Sequence, residues 1–128
     1  MKKAISTQRG PVAGAPYSQA IAYDNLLFVS GQGPFSEAGK IVSGRFEDQI
    51  RLALENLKIV LEAGGSSLDN VLKTTVFLAD MNDFKQMNEV YKDYFKGNRP
   101  ARSCIQAARL PFDIKVEIEA IAYIPKAE

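Results

Sequence analysis

The chain has 128 residues, 46% of them hydrophobic, and its 16 Lys plus Arg nearly cancel 15 Asp plus Glu to a formal net charge of +1. Such a chain is long enough for one hydrophobic core, so a single domain spanning 1–128 is expected, and its charge gives no global attraction toward nucleic acid or an anionic membrane. With no His and one Cys, imidazole bases, Ser-His and Cys-His nucleophile systems, the commonest zinc ligand and any internal disulfide are excluded.

Proton chemistry is therefore left to carboxylate, phenol, thiol, amine or water. Met1-Lys2-Lys3 and the mixed polar residues after it lack the apolar run of a signal peptide or membrane span, so a soluble, cytoplasmic protein is expected.

In chain order, residues 19–23 and 26–30 read as two short strands joined at Asp24-Asn25, because Asx residues tolerate positive φ in a two-residue hairpin. Leu26-Leu27-Phe28-Val29 is apolar at consecutive positions, the pattern of a strand covered on both faces. Gly31 to Gly44 reads as a turn-rich connection. Over 45–63 the residues Phe46, Ile50, Ala53, Leu57, Val60 and Leu61 form one helical stripe, and Gly64-Gly65 stops it. Residues 70–79 are β-branched and aromatic, hence a strand. Asn82 or Asp83 is placed to cap a second helix with Phe84, Met87, Tyr91, Tyr94 and Phe95 on one side, ended by Gly97. Residues 101–108 and 114–124 complete the strands. In the last one Val116, Ile118, Ala120 and Ala122 alternate with Glu117, Glu119, Ile121 and Tyr123.

This order predicts an α+β layer, two helices covering one face of a mixed sheet. The opposite face, with Ile121 and Tyr123 beside Glu117 and Glu119, is too apolar to stay wet, which predicts its burial in a homo-oligomer.

Chemistry concentrates near the C-terminal strands. Arg102 and Cys104 are two apart and share a face. If Arg109 to Phe112 forms a four-residue turn, Glu117 falls opposite Cys104 and Glu119 opposite Arg102, gathering a guanidinium, a thiol and two carboxylates on one patch. The ordinary reading is a solvated cross-strand ion pair, worth little. The sharper one makes Arg102 a two-pronged carboxylate clamp and Glu117 the acid–base group of a chain without His. Cys104 without His reads as a wall residue rather than a nucleophile. Asn88 lies within the apolar stripe of the second helix, where its amide either bonds nearby backbone or faces a ligand. Tyr17 follows a stiffening Pro16. Ser30 ends a strand just before Gly31, whose missing Cβ lets a ligand approach the backbone.

These positions carry a resemblance. Pro100-Ala101-Arg102-Ser103-Cys104, Ala108-Arg109-Leu110-Pro111 and Val116 to Ala122 resemble the C-terminal signature of the RidA (YjgF) family of reactive-intermediate imine deaminases. Pro16-Tyr17 with Gln19, Ser30-Gly31-Gln32, and Asn82-Asp83-Phe84 with Asn88 and Tyr91 are similar to its other landmarks. The resemblance implies a chorismate-mutase-like (YjgF-like) α+β fold, a homotrimer with sheets facing inward, and pockets at subunit boundaries. It implies a 2-imino acid substrate, such as 2-iminobutanoate or 2-iminopropanoate, hydrolysed to a 2-oxo acid and ammonia without cofactor or metal. In that pattern Arg102 clamps the carboxylate, Glu117 positions water, and Tyr17, Ser30, Gly31, Asn88 and Cys104 line the pocket. The chain departs from the pattern in a short Phe95 to Pro100 stretch, in Arg99 before the Pro, and in Gly33 where an aliphatic residue is usual.

Two other readings stand beside the deaminase. One is a non-catalytic trimer that binds small carboxylates or regulates a partner. The other, weaker, is an endoribonuclease or translation inhibitor, which the small net charge, the lack of His and the missing basic-aromatic stripe disfavour.

Overall fold

The computed structural model describes residues 1–8, 15–42 and 44–126, so Ser43 in the Gly31 to Gly44 connection lies outside the described residues. Six strands form one sheet: β1 (Lys3–Ile5), β2 (Ala20–Tyr23), β3 (Leu26–Gln32), β4 (Val71–Leu78), β5 (Ala101–Gln106) and β6 (Val116–Tyr123). Their spatial order is β1-β2-β3-β6-β4-β5. The helices are α1 (Phe46–Ala63) and α2 (Phe84–Tyr94). This is the expected α+β layer with a mixed sheet.

The alternation of each strand decides its faces. Val116, Ile118, Ala120 and Ala122 of β6 are buried with Val71, Thr74, Val76 and Leu78 of β4 and Leu27 and Val29 of β3. The α1 stripe, Ile50, Ala53, Leu57, Val60 and Leu61, packs on them and is fully buried. The helix stops as its glycines foretell: Gly64 N–H reaches back to Val60 and Leu61 carbonyls, and Gly65 takes φ +84°. The hairpin also forms as expected, with Tyr23 opposite Leu26 and Asp24 at φ 51°.

Two local readings are corrected. A strand at Lys3–Ile5, invisible as a periodic run, pairs antiparallel with β2. The cap of the second helical segment lies upstream of Asn82 and Asp83. The Asp80 carboxylate accepts from Asn82 N–H at 2.8 Å and opens a 3₁₀ turn that runs into α2, while Asp83 makes no side-chain cap.

The largest correction concerns the C-terminal strands. They do not form a hairpin. β5 pairs parallel with β4, and β4 pairs antiparallel with β6, so β4 lies between them. Consecutive strands are neighbours most of the time, but here residues 107–115 cross the end of β4 through a 3₁₀ turn at Pro111–Asp113. Ala107 N–H bonds Leu78 O at 2.8 Å and Ala79 N–H bonds Lys115 O at 3.0 Å, which anchors that crossing on both sides.

Candidate active site

Inserting β4 changes which groups meet. Arg102 pairs with Thr74, and Thr74 pairs with Ala120, whereas Glu117 pairs with Phe77. Partners across a ladder share a face. Arg102 and Cys104 therefore stand on the helix side with Thr74 and Val76, and Glu117 and Glu119 stand on the open side. The single patch of guanidinium, thiol and carboxylates expected within one chain does not exist. The residues instead form two half-sites.

The first half-site lies at the sheet edge. β5 is the outermost strand, and α2 lies over it. The Arg102 guanidinium carbon sits 4.8 Å from the Tyr91 ring centroid and 5.7 Å from that of Phe84, with Nη1 3.6 Å from Met87 Sδ. Stacking on aromatic faces suits a weakly hydrated guanidinium. Tyr91 is itself fixed: its hydroxyl shares a 2.8 Å hydrogen bond with buried Thr74, and its ring packs on Phe95 at 4.6 Å. Burial raises the Tyr91 pKa above the ordinary phenol value, so the ring remains neutral beneath the cation. Among the described residues Arg102 pairs with no carboxylate. A half-buried cation without a carboxylate partner in its own chain has donors left with which to meet an outside anion.

Asn88 is half-buried on α2, three residues before Tyr91 and four after Phe84, and so shares their side of the helix. Cys104 is half-buried two residues beyond Arg102. Burial pushes its thiol pKa up, against a smaller downward pull from Arg102, which favours the protonated thiol. Arg99 closes the short loop after α2 by donating from Nε to Phe95 O at 2.8 Å, a basic residue at a helix C-terminus.

The second half-site is a cleft of about 680 Å³ on the open face, lined by Tyr17, Ser30, Gly31, Phe35, Phe112 and Glu117 among others. A β-bulge makes it. Val29 pairs with Ala120 and Gln32 with Ile118, so β3 spends three steps where β6 spends two. The extra residue at Ser30-Gly31 re-aims this segment, as bulges beside sites do. Gly31 leaves the room that the Glu117 carboxyl group fills: a Cβ there would come within 2.7 Å of Cδ and displace the carboxyl end. Ser30 is locked, its N–H on Gln19 O at 3.0 Å and its hydroxyl donating to Ser18 O at 2.6 Å. Tyr17 is 54% exposed at the rim, free to meet a ligand or a neighbouring chain.

Glu117 is half-buried. Its pKa is raised above the ordinary carboxylate value, first by burial and then by the like charge of Glu119. That is the direction a carboxyl group needs to exchange protons near neutrality. Sequence reasoning missed Phe35, Phe112 and Thr74. The bulge had one legible signal, a glycine inside a strand pattern.

Among the described residues no cluster of three or more His, Cys, Asp or Glu side chains is placed to hold a metal ion, and no helix is long and apolar enough to cross a membrane.

Known proteins resemble this chain over nearly its full length. The family model described as Endoribonuclease L-PSP matches residues 7–124. A RutC family protein of Pyrococcus horikoshii is 52% identical over 96% of this chain and 98% of its own. The 2-iminobutanoate/2-iminopropanoate deaminase of Mus musculus is 49% identical, covering 95% of this chain and 91% of the mouse protein. The crystal structure of Escherichia coli TdcF with bound serine superposes with a TM-score of 0.90 at 47% identity, covering 94% of this chain and 98% of that one.

Proposed function

Because the chain belongs to the RidA (YjgF) family, the family described by the Endoribonuclease L-PSP model, we propose that this single-domain protein is a cytoplasmic deaminase that hydrolyses 2-iminobutanoate and 2-iminopropanoate. The products are the corresponding 2-oxo acids and ammonia. The observation that carries this reading is the unpaired Arg102 guanidinium held over Tyr91, a ready clamp for the substrate carboxylate, in a protein whose half-buried Glu117 has a raised pKa.

Within one chain these two groups lie on opposite faces, so the reaction requires two chains. The sheet edge that carries Arg102, Asn88 and Cys104 would close the open-face cleft of a second copy, bringing them to Tyr17, Ser30, Gly31 and Glu117. The open face supports such an assembly: Phe28 is 42% and Tyr123 38% exposed, and Phe28 lies opposite Ile121 across the ladder. An apolar sheet face of this kind calls for a covering layer. A closed cyclic trimer repeats one head-to-tail contact three times and makes three equivalent sites.

In each site Arg102 binds the carboxylate through both prongs, which fixes the C=N carbon in place and supplies the orientation term of the rate. Ionised Glu117 takes a proton from water as the oxygen attacks that carbon. The same carboxyl group then returns the proton to the nitrogen. That return regenerates the carboxylate and leaves a carbinolamine, from which Glu117 takes the remaining hydroxyl proton and passes it to the nitrogen as the C–N bond breaks, releasing ammonia and leaving the C=O bond of the 2-oxo acid. Proton shuttling by Glu117 needs no cofactor. The endoribonuclease description belongs to the family at large; here a net charge of +1 and the absence of His argue against RNA as the substrate.

Mixing two dead variants tests this. Arg102→Ala and Glu117→Gln should each be trimeric, with the first inactive and the second slow. Co-refolded in equal amounts, they should regain about a quarter of wild-type sites, since each shared site draws its halves from two chains. Absence of any recovery, with mixed trimers present, would refute the shared site. Full activity of Arg102→Ala would remove the clamp.

A further inference from the structure

The open-face cleft has an aromatic wall that the hydrolytic mechanism does not use. Phe35 and Phe112 meet edge to face, with ring centroids 5.6 Å apart and planes at 81°, an arrangement aromatic rings favour. The two rings come from different parts of the chain and line the same cavity as Ser30, Gly31 and Glu117.

The two rings are held there in different ways. Phe112 is 78% exposed, so its ring contributes little burial, yet its backbone stands at φ 60°. A bulky side chain in the left-handed region is strained, and such strain concentrates at binding sites. Asp113 follows at φ 55°, and the turn is braced by Arg109, whose Nε and Nη2 donate to Asp113 Oδ1 and Oδ2 at 2.7 and 3.0 Å. Phe35 is set more rigidly. Buried Asn56 of α1 sends both amide hydrogens to the loop, one to Gly33 O and one to Phe35 O, each at 2.9 Å. Gly33 leaves the space that Phe35 fills, because a Cβ there would come within 2.9 Å of the Phe35 ring.

A three- or four-carbon imino acid has little apolar surface to offer this wall. With its carboxylate and C=N group held by Arg102 and Glu117, a methyl or ethyl group presents far less area to two phenyl rings than a benzyl or isobutyl group does. The cleft measures about 680 Å³ in one chain, before a second copy closes it, within the range that accommodates drug-sized ligands. We infer that the Phe35–Phe112 wall makes this protein select 2-imino acids with large apolar or aromatic side chains over the three- and four-carbon substrates. This rests on the deaminase reading and narrows its substrate class.

The test compares imines made in situ by an L-amino acid oxidase from phenylalanine, leucine and 2-aminobutanoate, following 2-oxo acid formation with wild type, Phe112→Asn, Phe112→Tyr and Phe35→Leu. Asn tolerates the left-handed backbone, so Phe112→Asn removes the ring without disturbing the turn. Wild type should have the higher kcat/KM for the phenylalanine-derived imine. The ratio of that value to the 2-aminobutanoate value should fall about tenfold in Phe112→Asn and Phe35→Leu, the scale of apolar pocket discrimination, and persist in Phe112→Tyr. Calorimetry should show 3-phenyl-2-oxopropanoate binding more tightly than 2-oxobutanoate, with the difference lost in Phe112→Asn. An unchanged ratio in Phe112→Asn, or a change in oligomeric state without a change in ratio, overturns the inference while leaving the deaminase intact. Failure to accelerate hydrolysis of any imine overturns both.

Discussion

The two faces of the sheet obey different rules. On the helix-covered face, Leu57, Val76, Ile118 and Ala122 are almost fully buried, and the polar pair Thr74 with Tyr91 satisfies itself at 2.8 Å. On the open face, half-exposed Phe28, Ile121 and Tyr123 share the surface with two carboxylates that repel one another. The first arrangement stabilises the chain by itself. The second leaves surface and charge for something else to complete. The groups proposed for catalysis thus collect where the fold is least self-sufficient: at an unpaired edge strand and on an uncovered face.

Three measurements would break or sharpen that contrast. The largest effect belongs to the covered face. Leu57→Ala removes a fully buried side chain of α1 and should cost about 2–5 kcal/mol of unfolding free energy, read by denaturant titration. A cost under 1 kcal/mol would deny that face its structural role.

Next comes Gly31→Ala on the open face. Its backbone conformation admits Ala, and the group it would strike is the movable end of Glu117, so the protein should fold normally. The displaced carboxylate should lower kcat by about 10- to 100-fold, the scale set by small misplacements of a catalytic group. Wild-type kinetics in that variant would detach Glu117 from the reaction.

The smallest effect is on stability against pH. The raised Glu117 pKa means that the folded state binds more protons than the unfolded one between the ordinary carboxylate value and the raised one, so its share of stability is present below that window and lost as pH rises through it. Glu117→Gln should therefore be slightly more stable than wild type at neutral pH and equal to it in acid. Over the same window wild-type activity should rise with pH as Glu117 ionises. Parallel stability curves for the two proteins would remove the burial argument.

Much of this was legible in the sequence because periodicity is local. The spacing of Ile50, Ala53, Leu57 and Val60 set α1, the alternation from Val116 to Tyr123 set the two faces of β6, and Asp24-Asn25 set the first hairpin. The resemblance supplied the expected roles of Arg102 and Glu117. What misled was adjacency. A turn at Arg109 to Phe112 would have put Glu119 opposite Arg102, but insertion of β4 places Ala120 in line with it through Thr74. A shift of one residue turns every side chain to the other face, and so the clamp and the acid parted.

By itself the sequence determined which residues form strands and helices, which side of each faces apolar neighbours, and which functional groups are available without His. Only the tertiary structure decided which strands lie side by side, that a bulge sets Gly31 against Glu117, and that Arg102 stands on the far side of the sheet. The physical reason is range. Side-chain periodicity and turn chemistry act within a few residues, whereas strand order is chosen by the burial of a whole face against α1 and α2, and no short window of sequence contains that choice.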